Sequence, residues 1–498
     1  MTLVDKVKII AKENVCIGSG QCAMLLPNIF KQSRDDGIVE LLSEEVDVTF
    51  LKKLRNVVDS CPSRALSLEY DSSQYAEACP YAAVNQDHVA PIQNPPIHEF
   101  PIFDSKFKAN PFKLYNQWHE EGRSIVYVEL PTGVKTWLVI SHCLAKELLN
   151  DERLSKDSKY ASANWHKSHP TYKNGTSYPV FKHILTMDPP DQTRIRGMVS
   201  QEFTPKLIKQ LRPRIEVIVK VLLDNIDPYQ PVDLIEKFAL PLPLKVICEL
   251  LGVPFEDEHF FKRWSEVLVT ANLEEQKEIP VVAQELNDYL LKLSFARKKT
   301  PDNSLFSKLV QLKEQGHLTE KELTAMGFIL LVAGHETTVN LIGNGTLALL
   351  THPDQWSKLC ENPNLTRRAV EELLRFGSPI EVSTQRFAKT DIHLPGAHIQ
   401  KGDAVFIALA STNRDKLVFH ESNTLDITRS DVSNHLAFGG GAHFCLGAPL
   451  ARLEGEIAFG ELSKRFPNMK LAISPENTEW RVGLIMRGLK NLPIMLKP

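Results

Sequence analysis

Nowhere does the chain hold an uninterrupted run of the ~18 apolar residues that a bilayer-spanning helix requires. Its most apolar stretch, Phe328 to Ala333, stops at Gly334-His335-Glu336. The opening Met1-Thr-Leu-Val-Asp-Lys-Val-Lys lacks the basic stretch, apolar run and small-residue cleavage site of a secretory signal. A cytoplasmic protein with no membrane anchor is the expectation. Charge of one sign is scarce as well: the formal net charge is -3, which gives no global attraction to nucleic acid or an anionic membrane. Also absent are a Gly-rich loop ending in Gly-Lys-Ser/Thr, a flavin or nicotinamide fingerprint, and a repeat of solenoid length. These gaps exclude a phosphate-loop nucleotide site and leave any reducing equivalents to arrive from outside the chain.

What is present is the composition of a folded protein, with 43% hydrophobic and 24% charged residues in a chain of 498. That length accommodates a small domain and a large one. Residues 1–70 hold three of the eight cysteines and form the small unit. Residues 71–98, with Pro91-Ile-Gln-Asn-Pro95-Pro96, have the polar and proline-stiffened character of a linker. Residues 99–498 form the large, mainly helical unit with a minor β part. A hairpin is predicted at Ile125 to Leu130 and Val134 to Ile140 around Pro131-Thr-Gly133. Helical spacing of apolar positions marks 207–226, 280–298 and 365–377. A capping box at Thr319-Glu-Lys-Glu322 starts a helix that runs to about Leu350, before Pro353.

In a reducing compartment the early cysteines favour metal ligation or redox chemistry over disulfides. They read Cys16-Ile-Gly18-Ser19-Gly20-Gln-Cys22 and, later, Cys61-Pro62. Cysteines three apart on a tight loop, completed by a remote Cys-Pro, hold iron–sulfur clusters; here Ser19 stands at the middle position. A structural zinc site needs four Cys or His ligands, and no neighbouring His supplies a fourth. Residues 5–70 resemble the small bacterial ferredoxins. The resemblance implies an α+β ferredoxin-like fold with Cys16, Cys22 and Cys61 as ligands of a 3Fe–4S cluster, or of a 4Fe–4S cluster whose fourth iron takes Ser19 or an exogenous oxygen. Cys79-Pro80 competes with Cys61 for the third position but lies in the linker and is expected to be a free thiol.

Near the C-terminus stands Phe438-Gly439-Gly440-Gly441-Ala442-His443-Phe444-Cys445-Leu446-Gly447, followed by a helical pattern. A cysteine just before a helix start gains thiolate character from the helix dipole, and glycines let backbone pass close to a planar group. Alone, the segment is equally a Gly-rich turn with a buried cysteine. The decapeptide resembles the haem-binding loop of the cytochromes P-450, matching Phe-Gly-x-Gly-x-His-x-Cys-x-Gly throughout. That resemblance, spanning about residues 95–498, implies the fold of that family, haem b with Cys445 as axial thiolate, and a propionate contact from His443.

Further motifs carry the same resemblance. Ala333-Gly334-His335-Glu336-Thr337-Thr338 puts a carboxylate and hydroxyls in an apolar helix, where they need partners or water. In isolation this is a capping patch; in the family, Glu336 and Thr337 match the acid–alcohol pair that relays protons to bound oxygen, and Gly334 leaves room for the ligand. Glu372-Leu-Leu-Arg375 is an i,i+3 pair that in the family is buried and braces the haem loop with Arg429. Arg196, in Gln192-Thr-Arg-Ile-Arg196, and Arg386 match propionate arginines, whereas Gln192 departs from the usual His and leaves one contact neutral or missing. The resemblance implies a monooxygenase fed by NAD(P)H through a separate ferredoxin reductase and its own cluster, acting with O2 on a small apolar organic substrate, free or carried on a protein. The alternatives are a haem-thiolate peroxygenase or isomerase, and a non-catalytic haem redox or gas sensor. Pocket walls are expected in parts of 155–185, 255–285, 330–338 and 378–385, with Phe260, Phe261, Trp264 and Leu268 as examples.

Overall fold

The computed structural model describes residues 6–12, 22–23, 26–33, 38–59, 61, 65–69, 95–168, 179–270 and 277–497. In the first segment, β1 (Lys6–Ala11) alternates exposed and buried positions, so Val7 and Ile9 face inward. A two-stranded antiparallel pair follows, β2 (Phe30–Gln32) with β3 (Val39–Leu41). Strand β4 (Glu45–Asp47) leads to α1 (Leu51–Asp59), whose Leu51, Leu54 and Val57 recur at helical spacing on its buried face. Strand β5 (Leu66–Glu69) completes a three-stranded antiparallel sheet with β1 in the middle, Val7 opposite Val46 and Lys8 opposite Glu69. Cys22 and Cys61 are buried in this small core beside Ile9, Ile29 and Phe30.

The β part of the remainder is a six-stranded mixed sheet. It consists of β6 (Ile97–Glu99), β7 (Ile125–Glu129), β8 (Lys135–Val139), β9 (Leu154–Ser155), β10 (Arg386–Ala388) and β11 (Ala404–Ile407), in the order β6-β7-β8-β11-β10-β9. The predicted hairpin is β7–β8, with Gly133 at φ +78° in its turn. Parallel pairing of β8 with β11 and antiparallel pairing of β11 with β10 fix Arg386 opposite Val405.

Six helices position the site: α2 (His142–Asn150), α3 (Asp191–Ser200), α4 (Pro241–Leu251), α5 (Glu320–Leu350), α6 (Thr366–Gly377) and α7 (Ala448–Arg465). Both halves of the capping box of α5 form, between Thr319 and Glu322. This 31-residue helix packs against α4, α6 and α7. It is long and apolar enough to cross a membrane, but 78% of its most apolar window is buried inside the protein. The predicted helix over 207–226 is two, Pro205–Gln210 and Arg212–Asp224. Pro213 lacks the N–H that would continue the first helix and instead begins the second. Helices Ile279–Lys299 and Thr366–Gly377 agree with the remaining periodicities.

Candidate functional site

The run 438–447 leads into α7, with Gly447 as its N-cap. Cys445 is a free thiol there. Burial pushes it above the usual thiol range, while the amides of Gly447 and Ala448 and the guanidinium groups of Arg196 and Arg452 pull the other way. Its own N–H donates to Phe438 O at 2.9 Å, closing the loop. The glycines answer to packing: Gly439 and Gly441 have φ +69° and +65°, and a Cβ on Gly441 would lie 2.8 Å from Leu149 O and from Asn150 Oδ1 at the end of α2. Close passage against α2, beyond any contact with a planar ligand, requires glycine here.

A cavity of about 610 Å³ opens over this loop, and Cys445, His443, Arg196, Arg386 and Lys156 line it together with many apolar side chains. Arg196 donates to Phe444 O at 2.6 Å, and its Nε is buried with no partner. Burial lowers both Arg196 and Arg386 to about 10, which leaves them cationic at neutral pH. The imidazole of His443 is held well below its usual range by burial and by Lys156, Arg386 and Arg196 around it, so it stays neutral; its Nδ1 is buried without a partner. Gln192 Nε2 donates to Ala442 O at 2.7 Å and clamps the loop. Lys156 was not singled out by sequence reasoning. Its only signal was a lysine beside Ser155, far along the chain from every recognised motif.

From α5, Gly334, Thr337 and Thr338 line the cavity. Thr337 Oγ1 donates to Ala333 O at 3.2 Å. Gly334 has a second reason for being glycine: a Cβ would stand 2.7 Å from Ile247 of α4. Glu336 is buried but does not line the cavity; its Oε2 accepts from Arg481 Nη1 at 3.0 Å, and Oε1 lies 3.7 Å from His335 Nε2. Arg481, far away in sequence, escaped sequence reasoning too.

The Glu372–Arg375 pair is fully buried. Arg375 Nε and Nη2 donate to Oε2 and Oε1 of Glu372 at 2.7 and 2.8 Å, and Arg429 Nε reaches Oε1 at 3.3 Å. Arg375 Nη1 also donates to Asn413 O, while Asn413 Oδ1 accepts from Leu436 N at 2.7 Å, so the triad connects to the strand of chain entering the loop. A second brace was missed: Glu371 accepts from Arg452 Nε at 2.7 Å, sits 3.0 Å from His435 Nε2, and Arg452 lies over the Phe438 ring.

All four expected wall segments contribute, through Lys156, Phe181, Leu268, Ile279, Ala333 and Ser383 among others. Among the described side chains of the helix 258–270, only Leu268 does so; Phe260 is exposed, and Phe261 and Trp264 pack on Tyr289. Walls from Leu130, Ile247 and Gly483 to Met486 were not foreseen. Cys16, Ser19 and Cys79 lie outside the described residues; Cys22 and Cys61 share one core. Among the described residues no three His, Cys, Asp or Glu are grouped to hold a metal. Cys143 on α2 is disulfide-bonded.

A free thiol at a helix start, unpartnered buried nitrogens on Arg196 and His443, and an apolar cavity between them suit a large planar ligand with an acidic edge and a thiolate-binding metal: haem. The class is therefore that of the haem-thiolate monooxygenases. The chain belongs to the cytochrome P-450 family, whose model matches residues 94–486. Residues 4–71 match a model described as a divergent 4Fe-4S mono-cluster. Polyketide biosynthesis cytochrome P-450 PksS of Bacillus subtilis (strain 168) is 41% identical over 395 residues, 78% of this chain and 97% of that protein. Vitamin D(3) 25-hydroxylase of Pseudonocardia autotrophica is 40% identical over 399 residues, 80% of this chain and 96% of that protein. The tirandamycin C-bound P-450 monooxygenase TamI superposes with a TM-score of 0.74 at 39% identity, covering 81% of this chain and all of that one. The protein is thus a cytochrome P-450 monooxygenase with an N-terminal iron–sulfur domain.

Proposed function

We propose that the protein is a ferredoxin-fused monooxygenase of the cytoplasm. In this reading a separate NAD(P)H-dependent ferredoxin reductase delivers electrons to a 3Fe–4S cluster in residues 1–70, joined by the linker 71–98 to the haem unit 99–498. The cluster passes them to the haem, and one atom of O2 enters an apolar organic substrate. The observation that supports this route is that one chain holds both a small core burying Cys22 with Cys61 and a cavity lined by Cys445, Arg196 and Arg386. A tethered donor acts at ~mM effective concentration, so no tight docking face is required. Three thiolates, Cys16, Cys22 and Cys61, with Ser19 where a fourth would stand, favour the three-iron form.

When bound, the haem supplies oxygen activation, its thiolate ligand favouring O–O cleavage. Cys445 provides that thiolate, and the Gly447 and Ala448 amides temper its charge. Arg196, Arg386 and His443 hold the acidic edge. The Thr337 hydroxyl, on the cavity wall, is the last proton donor toward the ligand site. Behind it the Glu336 carboxylate pairs with Arg481, which is partly exposed and links it toward solvent. Glu372, Arg375 and Arg429 keep the loop in place and touch no reactant. Apolar walls with few polar groups suit a bulky, weakly polar carbon skeleton such as a polyketide or sterol, free or bound to a carrier protein; the polyketide-biosynthesis relative and the vitamin D(3) 25-hydroxylase are named for chemistry of that kind.

The test compares the intact protein with Cys61→Ser under carbon monoxide, anaerobically, with a ferredoxin reductase and NADPH. The red-shifted Soret band of thiolate-ligated ferrous haem should grow in the intact protein only, while dithionite produces it in both. Equal rates in both proteins refute the route through the cluster.

A further inference from the structure

The basic edge of the cavity contains one group more than the motifs supply. Lys156, directly after β9, is 5% exposed, and none of the ion pairs among the described residues involves it. Its Nζ donates to Thr384 O at 2.7 Å, Thr384 Oγ1 at 2.6 Å and Gln385 O at 3.0 Å, all neutral acceptors. Asp188, the carboxylate whose charge acts on it, is engaged by other groups: Oδ1 accepts the Lys156 backbone N–H at 2.8 Å and Oδ2 takes the Ser155 hydroxyl. A buried ammonium without an anionic partner is expensive. Burial and the neighbouring Arg386 hold its pKa well below the usual lysine range, against the pull of Asp188. An anion placed in the cavity beside it would offset that cost.

The arriving anion is defined by the site. Lys156, Arg196, Arg386 and His443 all line the same cavity, and the three cations are close enough to act on His443 electrostatically. Haem brings two carboxylates and Cys445 a third negative charge, against three cations and a neutral imidazole. Gln192, on α3 four residues before Arg196, is committed to Ala442 O and offers no charge. We propose that Lys156 is a haem-propionate cation of this chain, supplying the charge that Gln192 lacks, and that its hold on Thr384 and Gln385 sets the adjacent Arg386 for the same ligand.

The test uses the full-length, haem-loaded protein and its Lys156→Met, Lys156→Arg and Lys156→Met/Gln192→His variants. The readouts are the rate of haem transfer to excess apomyoglobin and the haem reduction potential. Lys156→Met should lose haem about 10–100-fold faster, the usual range for a lost supporting contact, and its potential should fall because a cation near the iron is gone. Lys156→Arg should stay near the original values, and Gln192→His should restore much of the loss. Reconstituted with dimethyl-esterified haem, which has no propionate charge, the intact and Lys156→Met proteins should release it equally fast. Unchanged haem loss and potential in Lys156→Met overturns the proposal. So does an equal acceleration for the esterified haem, which would leave Lys156 only as a pin for the 384–385 turn. If Lys156→Met does not accumulate folded, Lys156→Gln, which keeps a donor to Thr384 O, carries the same comparison.

Discussion

Arg481 Nη1 donates to Glu336 Oε2 over 3.0 Å, and this pair, rather than the cavity, is where the Glu336 carboxylate rests. Thr337, one residue on, faces the cavity. The acid and the alcohol of the motif therefore lie on opposite sides of the cavity wall, and the proposed relay requires a proton to cross from Glu336 to Thr337. Glu336→Gln should reduce product formation by ~10²-fold, the lower end for a lost general acid, while NADPH continues to be consumed. Arg481→Met should shift the balance of product per NADPH in a pH-dependent way, and its solvent isotope effect should differ from that of the intact protein. Product and NADPH measured together from pH 6 to 9 check both.

Arg375 carries the loop indirectly. Removing it by Arg375→Met takes both short ion-pair bonds from buried Glu372, leaving it the longer Arg429 contact, and leaves Asn413 O and Ser422 O without that donor. The expected cost is about 3–5 kcal/mol, with poor haem incorporation in what folds. Denaturant midpoints and the ratio of haem to protein are the measurements.

Gly441→Ala attacks the loop directly. The added Cβ meets Leu149 O and Asn150 Oδ1, and φ +65° disfavours any L side chain. The ferrous carbon monoxide spectrum should lose its thiolate-ligated band, whereas Gly396→Ala, in a surface turn with open space around it, should keep that band.

Acid should destabilise the protein partly through His142. Burial holds its imidazole at about 4, below the usual 6.5, and its Nε2 lies 2.8 Å from Asn434 O. The unfolded chain therefore binds a proton between pH 6.5 and 4 that the folded one refuses. The stability this gives is fully present above pH 6.5 and disappears as pH falls toward 4. From pH 7 to 5 the loss is roughly 2 kcal/mol. His142→Asn should remove that share of the slope, read as the difference in denaturant midpoints at the two pH values.

Local pattern made several features readable from the chain alone. The hairpin around Gly133, the capping box at Thr319 and the loop ending in Cys445 depend on neighbours a few residues apart, and short-range spacing records such constraints. The Glu372–Arg375 pair was visible as i,i+3 charges, but only burial distinguishes it from an ordinary surface pair. What the sequence could not state is which distant chains meet. Arg481 comes to Glu336 from 145 positions away, and Lys156 meets Thr384 from 228 away. Neither residue type is unusual, and neither neighbourhood has a motif. The reason for Gly334 and Gly441 likewise lies in helices α4 and α2, which press against them. The sequence by itself determined the chemistry, a thiol before a helix and an acid beside an alcohol. The tertiary structure decided which side of the cavity wall each group faces and which cations gather at its basic edge, because burial and charge are properties of what surrounds a residue in space.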